Sequence, residues 1–138
     1  MTDRDITVFF YGLFMDVGLL RSKGIEPGNV QRATLDGFGL RIGERATLWP
    51  DENSKAYGLV MTLSQRDVDS LYSAPDLAAY RAETITVRLE DGSSTSAVCY
   101  NLAKAPSGEP NPVYVEKLGK LAARVGFPSG YVDRIAGN

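Results

Sequence analysis

The stretch Ile6-Thr7-Val8-Phe9-Phe10-Tyr11-Gly12-Leu13-Phe14-Met15-Asp16 decides how the rest of the chain is read. Its first six residues are an unbroken apolar run of β-branched and aromatic side chains. The run is too short for a helix and is ended by Gly12, which is the signature of a buried strand. Asp16 then suits the N-cap of a short helix that holds Leu19 and Leu20 and ends near Gly24. Glu26-Pro27-Gly28 follows as a turn.

Working outward, Val30 to Leu48 alternates, with Ala33, Leu35, Phe38, Leu40 and Ile42 interrupted by Gly37, Gly39 and Gly43. Glycines inside a strand pattern mark bulges, barrel corners or a close ligand. Trp49-Pro50-Asp51-Glu52-Asn53 reads as a turn, and Ala56 to Leu63 as a further strand. Ser64 with Asp67 three residues on has the form of a capping box, so the spacing predicts a helix over Gln65 to Tyr72, stopped by Pro75. Strands are expected over Tyr80 to Leu89 and Ser96 to Leu102, joined by a hairpin at Asp91-Gly92. After a loop from Ala103 to Pro110, Asn111 caps a helix with Pro112 at its first position. Tyr114, Leu118, Leu121, Ala122 and Val125 share one face, and Gly126 closes it. Ser129 to Ala136 is a last short helix. This order predicts an α+β fold: a mixed, mostly antiparallel, barrel-like sheet with flanking helices, in one domain over residues 1–138.

Composition narrows the chemistry. The 138 residues carry 15 basic and 17 acidic side chains, a net charge of −2, and this balance gives no electrostatic reason to expect a nucleic acid. There is no His and one Cys. Ser-His-Asp and Cys-His machinery, His-ligated metals, multi-Cys clusters and an internal disulfide are therefore excluded, and no metal or cofactor is expected. Cys99 lies in an alternating apolar strand without a basic neighbour and reads as a small buried hydrophobe. The acid pairs Asp51-Glu52 and Glu90-Asp91 sit at turns, where solvation accounts for them. No run approaches the ~20 apolar residues of a membrane span, and Met1 to Asp5 lacks the features of a secretory leader, so a cytoplasmic location away from membranes is expected.

Four segments carry a family resemblance: Phe10-Tyr11-Gly12-Leu13-Phe14-Met15-Asp16; Leu35-Asp36-Gly37-Phe38-Gly39-Leu40-Arg41; Ala56-Tyr57-Gly58-Leu59-Val60; and Tyr114 through Leu118, Gly126-Phe127-Pro128 and Tyr131. In that order they resemble the γ-glutamylcyclotransferase-like superfamily, which includes the AIG2-like proteins. The resemblance implies a barrel with a cavity at the end of the first strand. It also implies an intramolecular reaction in which the α-amino group of a γ-glutamyl amine attacks its own γ-carbonyl, giving 5-oxoproline and a free amine. Gly12, Leu13 and Phe14 map onto a loop whose amides hold a carboxylate or a developing oxyanion. Tyr11, Arg41, Tyr80 and Tyr114 are the further candidates for holding a carboxylate-bearing small molecule.

The reaction needs a base to deprotonate the ammonium, and in the family a Glu four residues after a helical Leu does this. Counted from Leu71, that position is Pro75, and the nearest carboxylate is Asp76. Glu83, three residues beyond Tyr80 on a strand, falls on the opposite side from it. Two functions follow from the resemblance. One is a cyclotransferase using Asp76 as a displaced base. The other is a catalytically silent member that kept the cavity as a small-molecule binding or protein-interaction module.

Overall fold

The computed structural model describes residues 4–106 and 108–137. Met1 to Asp3, read above as the start of the chain, Ser107 in the expected loop, and Asn138 lie outside them. Five strands form a closed barrel, ordered β1 (Asp5–Phe10), β3 (Ala46–Ser64), β2 (Gly28–Ile42), β4 (Tyr80–Leu89) and β5 (Ser94–Leu102). Every pairing is antiparallel except β1 with β5, which run parallel at Val8 and Val98. The expected α+β fold with a mixed, mostly antiparallel barrel is what forms.

β1 lies between β3 and β5, and its last three residues are all buried. Val8 and Phe9 meet Met61 and Val60 across the ladder, and each buried apolar side chain of this size contributes roughly 1.5–3 kcal/mol. Gly58 permits the closeness of that packing, since a methyl group there would lie 2.7 Å from Phe9 Cζ.

The stretch read as one alternating strand from Val30 to Leu48 is in fact a hairpin. β2 ends at Ile42, the chain turns through Gly43 to Arg45, and β3 begins at Ala46, which pairs back with Ile42. The glycine reading holds at Gly37, whose φ of +83° accompanies a register shift between Asp36 and Phe38. On the partner strand the expected turn at residues 49–53 is a bulge inside one 19-residue strand, because Pro50 pairs with Phe38 and Lys55 with Asp36. Asp51 organises this bulge by accepting from the Asn53 amide and the Ser54 hydroxyl.

The helix signals translate closely. Asp16 accepts from the Leu19 amide at the start of α1 (Val17–Ser22), and Ser64 accepts from Asp67 at the start of α2 (Gln65–Leu71). Asn111 caps α3 (Pro112–Val125), and Gly126 ends it with φ of +97°. Leu118, Leu121 and Ala122 of α3 and Tyr131 and Ile135 of α4 (Ser129–Ala136) complete the core. Arg32, held by Glu90, places its guanidinium 3.3 Å and 3.4 Å from the Gly126 and Val125 carbonyls, and so satisfies the C-terminal end of α3.

Candidate functional site

Beyond Phe10 the chain leaves the barrel wall and makes one 3₁₀ turn over Leu13–Met15 before Asp16 starts α1. A small chamber opens there, lined by Phe10, Tyr11, Gly12, Leu13, Phe14, Arg45, Ala46, Tyr72, Leu77, Tyr80 and Tyr114. Its volume is about 60 Å³. A broader groove of about 540 Å³ adjoins it and shares Leu13, Arg45, Tyr80 and Tyr114. Glu44, Asp76, Asn111 and Lys117 make that outer groove polar and of mixed charge.

The tyrosines of the chamber are fixed from several directions. The Tyr11 hydroxyl donates to the Tyr100 carbonyl at 2.6 Å, and the Tyr80 hydroxyl donates to the Ala46 carbonyl. Tyr72 stacks on Tyr100 with centroids 4.0 Å apart and meets Phe14 edge-on. Burial pushes the hydroxyls of Tyr11, Tyr72, Tyr80 and Tyr114 above the usual tyrosine range. All four are neutral at pH 7 and can act as hydrogen-bond donors but not as bases.

The Tyr114 hydroxyl closes one side of the Gly12 turn, and a methyl group on Gly12 would stand 2.7 Å from it. The backbone amides of Leu13 and Ala46 favour its ionised form, against the larger effect of burial. The charged group of the chamber is Arg45, from the tip of the β2–β3 hairpin, and it is bound to the carboxylate of Asp76.

Of the residues singled out from sequence, Tyr11, Gly12, Leu13, Phe14, Tyr80 and Tyr114 line the chamber together. Asp76 lines the outer groove and not the chamber. Arg41 lies elsewhere, in a pocket between the hairpin and α4. Glu83 pairs with Cys99 on β5, and its carboxylate accepts from the Asn101 side chain. Asn101 Oδ1 in turn accepts from the Leu48 amide, so this carboxylate belongs to a network that ties β3 to β5. Burial and the charge of Glu83 push the Cys99 thiol up to about 12, so it stays a thiol.

Arg45 and Tyr72 were not anticipated. Tyr72 follows the last residue of α2 and enters the chamber, while Pro75 opens the next 3₁₀ turn and does not line it. A count of four residues from Val68 lands on Tyr72, so the helix offers a second register beside the one counted from Leu71. Among the described residues no group of three or more His, Cys, Asp or Glu side chains is placed to hold a metal ion, and no helix is long and apolar enough to cross a membrane.

The AIG2-like family profile matches residues 55–135, more than half of the chain, and the chain belongs to that family. Its fold is shared with solved structures. A gamma-glutamyl cyclotransferase superposes with a TM-score of 0.81 at 18% identity, over 96% of this chain and 86% of the other. An uncharacterized protein from Homo sapiens gives 0.77 at 20% identity, over 95% and 86%. An AIG2-like protein from Mus musculus gives 0.58 at 18% identity, over 78% and 88%. Comparison with curated protein sequences found no match.

Proposed function

We propose that this chain is a binding module of the γ-glutamylcyclotransferase-like fold that captures a small amino-acid-like carboxylate and does not cyclise it. The observation that carries this reading is the lining of the chamber beyond β1: aromatic and apolar walls, one guanidinium, and no Asp or Glu. Cyclisation of a γ-glutamyl compound needs a general base within about 3 Å of the attacking amine, or one water away. The tyrosines are neutral, and Asp76 faces the outer groove, tied to Arg45.

The same arrangement suits binding. Arg45 stands at the rim with a planar fork matched to a carboxylate. Its bond to Asp76 joins side chains 37% and 58% exposed, and such pairs contribute only ~0–1 kcal/mol, so an incoming carboxylate can take Asp76's place. The outer groove then offers Glu44 and the released Asp76 to an ammonium, and Lys117 and Asn111 to further polar groups. The chamber is much smaller than the groove, which favours a small head group inside and the remainder of the ligand in the groove.

Titration calorimetry with 5-oxoproline and with a γ-glutamyl amino acid tests this. Saturable binding that weakens roughly tenfold or more in Arg45→Gln is expected, as a charge-assisted bond is worth about 1.5–3 kcal/mol. Absence of binding, or binding indifferent to Arg45, contradicts it.

A further inference from the structure

The barrel is least complete at the seam between β2 and β4. Their ladder consists of Ala33 with Leu89 and Thr34 with Arg88, and the ion pair from Arg88 to Asp36, at 2.7 Å, marks where the two strands part. Beyond it the bulge at Gly37 redirects β2, while β4 runs on from Val87 back to Tyr80 without it. Among the described residues β4 packs extensively against β5 and β2 and against no other element.

Burial registers the gap. A strand walled on both sides buries every second residue, as β5 does with Ala97, Cys99 and Asn101. On β4, by contrast, Arg81, Ala82, Glu83 and Thr84 are four successive exposed residues. Arg81 pairs with Asn101 and Glu83 with Cys99, so both charged side chains share the inward face of those two buried ones, yet both remain exposed. The edge of β4 turned away from β5 is therefore open over Arg81 to Thr84, and its backbone N–H and C=O groups there lack a strand partner.

Inward-pointing charges on an edge ordinarily deter pairing. Here their order is its own complement. When two copies of β4 pair antiparallel about a two-fold axis through Ala82, Arg81 of each copy falls opposite Glu83 of the other, and Ala82 meets its own copy with only a methyl group on each side. Both charged groups have bonding capacity left for this. Arg81 is bonded to the Ala78 and Tyr80 carbonyls through Nη1 alone, and Glu83 accepts from the Asn101 side chain through Oε1 alone. Neither is in an ion pair among the described residues.

We propose that the open edge of β4 is a self-association surface, on which a second copy of this chain adds its own β4 through reciprocal Arg81–Glu83 pairs. Main-chain hydrogen bonds supply the attraction and the two charge pairs fix the register. The paired stretch, Tyr80 to Thr84, is short, so the dimer is a weak one that forms with rising concentration. This surface stands independently of the carboxylate reading above.

Sedimentation velocity on the full chain, over a concentration series into the millimolar range, tests the assignment. Wild type should pass from monomer to dimer. Arg81→Glu and Glu83→Arg each set two like-charged pairs across the axis and should weaken association roughly tenfold or more, whereas an equimolar mixture of the two variants restores opposite charges at every pair and should associate as wild type does. Ala82→Lys, which leaves Arg81, Glu83 and the Asn101 bond untouched, places two ammonium groups on the axis and should also lose the dimer. Melting temperatures confirm that each variant is folded. A wild type that stays monomeric throughout, which would hand the edge to a strand of another protein, would overturn the assignment, as would a dimer that survives Arg81→Glu or Ala82→Lys, or a mixture of folded variants that fails to associate.

Discussion

The Arg45 guanidinium is bound to the Asp76 carboxylate at the rim where the inner chamber meets the outer groove. This one pair separates the two roles open to Asp76. As a general base, Asp76 would be required for turnover; as the internal partner of Arg45, it competes with the ligand. In Asp76→Asn the competition is removed, so affinity for 5-oxoproline, which carries no ammonium for Asp76 to hold, should rise by up to about fivefold given the small worth of an exposed pair. Calorimetric titration checks this, and reduced affinity would tell against the displacement.

Gly12→Ala should close the chamber. The added methyl meets the Tyr114 hydroxyl at 2.7 Å, and Tyr114 is anchored by α3 and buried, so the strain falls on the turn that forms the chamber wall. Loss of carboxylate binding is expected, with a stability cost of about 1–3 kcal/mol in urea unfolding.

The core makes a sharper demand at Gly58, where a methyl group meets Phe9 Cζ and Cε1 at 2.7 and 2.8 Å inside the β1–β3 ladder. Gly58→Ala should cost about 3 kcal/mol, at the top of the usual range for overpacking, because the obstacles are the Phe10 backbone carbonyl and a fully buried ring. Wild-type stability in that variant would show the packing to be looser than described.

Much of this architecture is legible in local signals. Asn111-Pro112 and Gly126 mark both ends of α3 because caps act through their own backbone, and Tyr80 to Leu89 reads correctly because one edge is a proline turn and the other an Asp-Gly hairpin. The β2–β3 hairpin is hidden in the sequence because Ala46 and Leu48 keep the apolar phase of Leu40 and Ile42 across the short tip Gly43 to Arg45. With the tip goes Arg45, which reaches the chamber only once β3, distant in sequence, has paired with β1. Arg41 lies apart from the chamber because Gly39 gives its guanidinium room on the α4 side, a placement that local sequence does not carry. Tyr72 read as one more apolar helix residue, and only the path of the chain after Leu71 turns it into the chamber.

Alkaline pH should expose the buried tyrosines. Tyr11, Tyr72 and Tyr114 have hydroxyls raised above the ordinary value of 10.0 by burial, so above that pH the unfolded chain releases protons that the folded chain retains. The unfolded state then binds fewer protons, and stability falls with rising pH. These groups contribute no pH dependence between pH 7 and 9, and the melting temperature should decline from about pH 10 upward. Absorbance of tyrosinate should rise in two stages, the second coincident with loss of circular dichroism; a single early stage would mean that these hydroxyls are open to water.

The most direct test of a module that binds without cyclising is the amount of 5-oxoproline formed from γ-glutamyl amino acids by the wild-type chain and by Asp76→Asn, at protein concentrations that saturate in calorimetry. Equal formation by both, at the rate of buffer alone, is the predicted result. Turnover by the wild type that falls ~100-fold or more in Asp76→Asn, with the melting temperature kept, would contradict it, because that is the worth of general-base assistance.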